Sequence, residues 1–106
     1  MEFDNGLLYI YTKKQIELYK KIAQKFKNSN FILRPHPADF EHVKKFKKLF
    51  LDNKNIKIET SFDVNFWIQK CDKIISGPGS VSIESLYLNK QVLIFFNKKD
   101  KMHKAL

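Results

Sequence analysis

The stretch that decides the fold is residues 73–96, which read KIISGPGSVSIESLYLNKQVLIFF. It begins and ends with apolar runs, and the middle has the spacing of a short helix that follows a glycine-rich turn. We predict a strand over 73–76, a tight turn over 77–79, a helix over 80–88, a left-handed stop at Asn89 and a strand over 91–96. Strand, helix and strand in this order form the unit from which parallel sheets are built.

Upstream of this stretch, short apolar runs alternate with segments of helical period. The predicted strands are 7–11, 31–34 and 56–59, and the predicted helices are about 13–27, 39–51 and 61–70. Thr12 and Asp39 are the expected N-caps of the first two helices, and either Ser61 or Asp63 caps the third. This alternation predicts a Rossmann-like, doubly wound, mostly parallel α/β sheet of about five strands. Ligands of such sheets bind at the carboxyl ends of the strands.

Composition indicates a packed domain of limited size. The 106 residues are 43% hydrophobic, 14% aromatic and 29% charged, so we expect one domain over 1–106 with its core within about 7–96. A complete two-domain enzyme is excluded for a chain of this length. No apolar run has the roughly 18 to 20 residues of a membrane-spanning helix, and the N-terminus lacks the pattern of a secretion signal. A single cysteine, Cys71, forms no internal disulfide, and we therefore expect a cytoplasmic protein.

The charge is strongly basic. Lys and Arg total 20 against 11 acidic residues, a formal charge of +9, which is typical of proteins that bind nucleic acids or phosphates. Only Arg34 is an arginine, whereas surfaces that read bases or clamp phosphates favour arginine. We therefore favour a compositional bias toward lysine on solvated helix faces over binding of nucleic acid. Association with an anionic membrane surface is kept as an alternative.

Residues 76–80, Ser-Gly-Pro-Gly-Ser, form one of the two unusual loops at predicted strand ends. Gly77 and Gly79 permit close approach of the backbone, so that N–H groups at the start of the next helix can converge on an anion. The alternative is an ordinary strand-to-helix turn with Ser80 as the cap. Glu84 follows one helical turn later, where a carboxylate can accept hydrogen bonds from sugar hydroxyls or simply lie on a solvated helix surface.

The second unusual loop is Arg34-Pro35-His36-Pro37. Its prolines would hold the His36 ring, which could donate to a phosphoryl oxygen, act as an acid or base, or merely complete a turn. We expect no metal and no cofactor, because the histidines and the cysteine show no short ligand spacing. Ser80 is not a predicted nucleophile, since its loop lacks the Gly-x-Ser-x-Gly pattern. Trp67 and the ten phenylalanines are assigned to core faces and not to a base-stacking surface.

These two loops give the sequence a resemblance to a known enzyme class over about Leu7 to Phe96. Leu33-Arg34-Pro35-His36-Pro37 resembles the basic-x-His-Pro motif of the C-terminal, nucleotide-sugar-binding half of GT-B-fold transferases that build bacterial surface polymers. Residues 71–84 and 88–94 resemble the later motifs of the CDP-glycerol glycerophosphotransferases and related capsule enzymes. The chain departs from that pattern at Gly79, where the family has serine, and at Gln91, where it has proline.

The resemblance implies a role for each matching residue. Donor phosphates would contact Arg34, His36, Gly77, Gly79, Ser80 and Ser82, with His36 also catalytic and Glu84 on the ribose. The implied ligand is a nucleotide-activated sugar or alcohol of CMP, CDP or UDP type. The implied partner is an N-terminal GT-B half that supplies the acceptor site. UDP-N-acetylglucosamine 2-epimerases look like the same half-fold and give the alternative enzyme function, and a basic nucleic-acid-binding module is the non-enzymatic alternative.

Overall fold

A computed structural model describes residues 5–10 and 13–94. Five parallel strands form one sheet in the order β3-β2-β1-β4-β5. The strands are β1 (Asn5–Ile10), β2 (Asn30–Pro35), β3 (Ile56–Ile58), β4 (Lys73–Ser76) and β5 (Gln91–Ile94), and the helices are α1 (Lys14–Lys25), α2 (Val43–Leu49), α3 (Val64–Lys70) and α4 (Ser80–Tyr87). A 3-10 helix, Pro37–His42, precedes α2. The predicted Rossmann-like, doubly wound α/β fold is confirmed.

Helices cover both faces of the sheet, because the central strands are apolar on both sides. Leu8 of β1 packs in a cluster with Tyr19 of α1 and Phe50 after α2. The next residue toward the N-terminus, Leu7, packs on the opposite face with Ile68 of α3. The first face therefore belongs to α1 and α2 and the second to α3 and α4.

Two helix ends follow the predicted signals. Oδ1 of Asp63, one of the two candidate caps, accepts a hydrogen bond from the Phe66 N–H over 2.9 Å at the start of α3. Asn89 is left-handed, with φ 59°, where α4 stops. The Thr12 cap and the last two residues of the predicted fifth strand, 95–96, lie outside the described residues.

The predicted helix over 39–51 is wrong in its first part. Asp39 does not cap it. Instead, Nδ1 of His36 accepts a hydrogen bond from the Ala38 N–H over 3.1 Å and starts the 3-10 helix. Pro37 occupies the first position of that helix, where its missing N–H costs nothing. The α-helix begins only at Val43 and ends at Leu49.

Asn55 joins the turn before β3 to the end of α1, at the edge of the sheet opposite to the predicted ligand edge. Its Nδ2 donates to the carbonyl oxygens of Ala23, Phe26 and Ser29 over 3.0 to 3.1 Å. Ala23 and Phe26 lie at the end of α1, where helix carbonyl groups lack partners within the helix, and Ser29 follows in the turn before β2. One side chain from the turn before β3 thus donates hydrogen bonds to carbonyl groups at and just after the end of α1.

The two edges of the sheet differ in chemistry. Edge strand β3 has three residues, and its central Lys57 forms a 3.2 Å ion pair with Glu59. The other edge, β5, has four uncharged residues, and Leu93 is 57% exposed. Beside β5, the outer face of α4 exposes Ile83, Leu86 and Tyr87. Among the described residues, no helix has the length and apolar character needed to cross a membrane.

Candidate functional site at the carboxyl edge of the sheet

The strand order changes direction at β1, which has β2 on one side and β4 on the other. The pairing of β1 with β2 continues to Ile10 and Pro35. The pairing with β4 ends earlier, at Leu8 and Ile75. A crevice therefore opens between the carboxyl ends of β1 and β4, which is where doubly wound sheets bind their ligands.

Tyr19 of α1 bridges the base of this crevice. Its hydroxyl group donates to the Tyr9 carbonyl over 2.6 Å and lies 3.2 Å from the Ile75 carbonyl. The same oxygen accepts from Nε2 of the buried Gln15 over 3.1 Å. Burial raises the pKa of the Tyr19 phenol far above its usual value, so the hydroxyl remains a donor.

The loop after β4 leaves the N-terminus of α4 open. Gly79 is the N-cap residue, with φ 152° and ψ −166°, a backbone conformation nearly restricted to glycine. No side chain caps the helix, and both Gly79 and Ser80 are exposed. The first N–H groups of α4 thus have no side-chain cap, and the positive end of the helix dipole lies at this loop.

The other serines of this segment bond locally. Oγ of Ser82 donates to the Gly79 carbonyl over 2.8 Å, and Oγ of Ser76 donates to the Gly77 carbonyl over 3.0 Å. Both side chains are buried. The Ser82 hydroxyl therefore shapes the loop from inside, whereas the Ser80 hydroxyl lies at the surface.

His36 is half-buried directly after β2. Its backbone N–H donates to the Ile10 carbonyl over 3.0 Å, which anchors the loop to the end of β1. Because Nδ1 accepts from the Ala38 N–H, the neutral ring carries its proton on Nε2. The ring also makes an edge contact with Tyr9 at 6.5 Å between centroids. The imidazole is thus oriented by two neighbours, and Nε2 is its donor atom.

Arg34 is directed away from solvent and into the neighbouring β3–α3 loop. Its guanidinium donates to the carbonyl oxygens of Ser61 and Phe62 over 2.8 and 2.6 Å, and stacks 4.7 Å from the centre of the Phe40 ring. The side chain is only 3% exposed. Burial lowers the pKa of the guanidinium, with partial compensation from Tyr9, Asp63 and Glu59. This geometry makes Arg34 an organiser of the loop.

The two predicted loops lie at the same edge of the sheet, after neighbouring strands of β1. His36 follows β2 and the Gly79 loop follows β4, so β1 separates them by about 10 Å, twice the spacing between strands. Tyr9 of β1 packs on the α3/α4 face and contacts His36, which places it between the two loops. Glu84 lies exposed on α4, one turn beyond Ser80, and takes part in no ion pair within 5–10 and 13–94.

An exposed aromatic cluster was missed by the sequence analysis. Phe62 is 66% exposed and left-handed, with φ 63°, and its ring stacks on Phe66 at 4.3 Å. Trp67 meets both rings edge-on, and its Nε1 donates to the Ser61 carbonyl over 2.8 Å. Assigning the phenylalanines to core faces was therefore wrong for Phe62. The sequence feature that could have indicated its exposure is its position between Ser61 and the helix cap Asp63, before the apolar positions of α3 begin.

Two further predicted features concern chemistry outside the loops. Cys71 is buried, and that burial raises the pKa of its thiol to about 11. In the part of the chain that the structure describes, no three His, Cys, Asp or Glu side chains come together as metal ligands.

The fold has a counterpart among solved structures. No family model matches this sequence, and no curated protein matches it. The crystal structure of UDP-GlcNAc 2-epimerase from Neisseria meningitidis bound to UDP-GlcNAc aligns over 96% of this chain with a TM-score of 0.69 and 19% sequence identity. The chain spans 29% of the length of that epimerase. The described residues therefore have the α/β fold of a GT-B-like half.

Proposed function

We propose that the chain binds the phosphates of a nucleotide-activated sugar at the carboxyl edge of its sheet and is one half of a two-half enzyme. The observation that carries the proposal is the N-terminus of α4 at Gly79, which has no side-chain cap and lies at the same edge of the sheet as His36, across the end of β1 from it. An uncapped helix N-terminus in a crevice suits an anion. The similarity in fold to an epimerase solved with UDP-GlcNAc supports this ligand class.

The proposed binding mode uses donors that the fold has already oriented. Backbone N–H groups at Ser80 and Val81 would donate to one phosphate, and Nε2 of His36 would donate to the other. When the bond to the sugar breaks, negative charge grows on the leaving phosphate. Donors fixed before that step stabilise the charge without reorganising. His36 is in this sense the proposed catalytic residue, and the mechanism needs no metal.

The same edge offers surfaces for the rest of the ligand. Phe62 exposes its ring in the loop between β3 and α3, and its carbonyl accepts a hydrogen bond from Arg34 of β2. Glu84 lies one turn above Ser80, where its carboxylate would accept hydrogen bonds from ribose hydroxyls. Because the ribose joins the base to the diphosphate, a ribose at Glu84 would put the base on the α4 side of the phosphates, and the Phe62 ring would face the group bound on their other side.

Two reactions fit this binding half. The Arg34-Pro35-His36-Pro37 and Ser76–Glu84 motifs favour a glycosyl- or glycerophosphotransferase of surface-polysaccharide synthesis. The fold similarity favours the second candidate, a sugar-nucleotide 2-epimerase. Either reaction needs acceptor or acid-base groups and exclusion of water, which come from a cleft between two halves. We therefore expect the 106 residues alone to bind without turnover.

Calorimetry at moderate salt tests the proposal. The ligands are CMP, CDP, UDP, UDP-GlcNAc and a random oligonucleotide. We expect a diphosphate nucleotide to bind more tightly than the oligonucleotide. Binding of every anion with a steep dependence on salt would instead indicate a non-enzymatic basic module. Turnover by the isolated chain would contradict the two-half organisation.

A further inference from the structure

A second concave site lies on the other face of the sheet, between α1 and the segment formed by the 3-10 helix and α2. The cavity has a volume of about 490 Å³, within the range of about 300 to 1,000 Å³ typical of small-ligand sites. It lies at the end of β1, where the start of α1 faces the 3-10 helix and α2.

The lining combines an apolar floor with a charged rim. The floor consists of Ile10 at the end of β1, Ile16 of α1, and Phe46 and Leu49 of α2. Lys13 and Lys45 stand on the rim with Asp39 and His42. His42 lies 3.5 Å from the carboxylate of its neighbour Glu41.

The charge of this rim favours an anion. Lys13 and Lys45 are exposed, and neither forms an ion pair within the described ranges. Against these two ammonium groups, Asp39 is the one carboxylate in the described lining. The N-terminus of α1 also opens at Lys13 without a side-chain cap, which adds the positive end of a 12-residue helix dipole.

We propose that this groove binds a small molecule with an apolar body and one anionic group, such as an aryl phosphate. The apolar body would lie on Ile16, Phe46 and Leu49, and the anion would lie between Lys13 and Lys45. The groove has a different lining from the proposed nucleotide site, because α4 and the Phe62 ring belong to the opposite face of the sheet. The two sites adjoin at Ile10, whose carbonyl accepts from the His36 N–H.

A probe series with one ring and different head groups tests the proposal. The probes are 1-naphthyl phosphate, the neutral 1-naphthol and the cationic 1-naphthylmethylamine, and binding is followed by naphthyl fluorescence and calorimetry. We expect the phosphate to bind at least about tenfold more tightly than the other two, because only its head group gains a charge-assisted contact. Equal binding of naphthol would overturn anion recognition.

Two double variants of identical net charge locate the site. Lys13→Gln with Lys45→Gln removes the rim lysines. Lys14→Gln with Lys48→Gln removes exposed lysines of the same two helices that do not line the cavity. We expect a loss of at least about tenfold for the first pair and less than about twofold for the second. Equal losses would show attraction by net charge alone and overturn the site.

A competition experiment with UDP distinguishes binding in this groove from binding in the proposed nucleotide site. UDP should leave naphthyl phosphate bound. Displacement by UDP would place the probe in the nucleotide site and overturn the second site. A chain that failed to bind UDP but bound naphthyl phosphate as described would refute the proposed function and leave the groove proposal standing.

Discussion

The Tyr19 hydroxyl group donates a hydrogen bond to the Tyr9 carbonyl oxygen over 2.6 Å, at the point where β1 and β4 stop pairing. The same hydroxyl lies 3.2 Å from the Ile75 carbonyl of β4. One side chain from α1 thus supplies the donor that the two diverging strands no longer offer each other.

Tyr19→Phe should lower the free energy of unfolding by about 1 to 3 kcal/mol, because buried carbonyl groups lose a donor and the Gln15 amide loses an acceptor. Urea unfolding measures the change. Tyr87→Phe is the matched control, since Tyr87 is 88% exposed, and it should have almost no effect. Equal losses in the two variants would contradict the bridging role.

The two loops of the proposed nucleotide site should act on one ligand. His36→Asn keeps a side-chain acceptor for the Ala38 N–H but removes the imidazole donor, and Ser80→Ala removes the exposed hydroxyl. Each change should weaken nucleotide binding by about 1 to 3 kcal/mol. The double variant should depart from additivity by about 0.5 kcal/mol or more, as measured by calorimetry.

Lys47→Ala on the exposed side of α2 is the control for that cycle. It should alter affinity by only a few tenths of a kcal/mol, mainly at low salt. A loss as large as those in the loop variants would mean that His36 and Ser80 are ordinary turn residues.

Arg34→Lys should reduce stability by about 2 to 4 kcal/mol, because one ammonium group cannot replace a guanidinium that bonds to two carbonyl groups and stacks on a ring. Thermal or urea unfolding checks the stability, and calorimetry checks nucleotide affinity. Unchanged stability with a large loss of affinity would instead identify Arg34 as a direct phosphate ligand.

Asn55→Ala should cost about 1 to 3 kcal/mol of stability, since three carbonyl groups at the end of α1 lose their shared donor. Asn28→Ala removes an exposed asparagine from the turn after α1 and should leave the urea midpoint within experimental error. Similar midpoints for both variants would show that the Asn55 contacts contribute nothing.

Raising the pH above about 9 should reduce the contribution of Cys71 to the free energy of unfolding. Because burial raises the pKa of the folded thiol to about 11, the unfolded chain loses this proton first as pH rises through about 9. Stability from this group then falls between about pH 9 and 11, by up to about 1.4 kcal/mol per pH unit. The difference in unfolding free energy between the native chain and Cys71→Ala should shrink over that range. A constant difference would contradict the pKa shift.

The fold could be predicted because the strand patterns and the helix-end residues of the sequence are consistent with one another along the chain. Strands β1 and β4 are apolar on both faces, and Asn89 and Asp63 sit where a helix stop and a helix cap are needed. The start of α2 could not be predicted in the same way. A histidine that accepts through Nδ1 takes the place of the expected Asp39 cap, and helix-cap preferences rank histidine low.

For the candidate site, the sequence singles out loops more readily than individual side chains. Gly79 and His36 stand out because glycine and proline mark special backbone positions, and their part in binding stays a prediction. The roles of Arg34 and Phe62 depend on tertiary neighbours. Arg34 turns toward carbonyl groups about 27 residues away along the chain, and the left-handed backbone of Phe62 has no sequence signature.

The unequal edges of the sheet give the protein a preferred direction of aggregation. Lysine and a short strand protect β3, whereas within residues 5–10 and 13–94 no strand pairs with the outer side of β5, beside Leu93 and the apolar face of α4. The +9 charge keeps copies apart at low salt. Concentrated salt screens that repulsion, so two copies would then pair through their β5 strands. After this step neither copy has an unpaired β5 edge left for a further copy. Dimers at high salt, in place of long fibrils, are therefore the expected product.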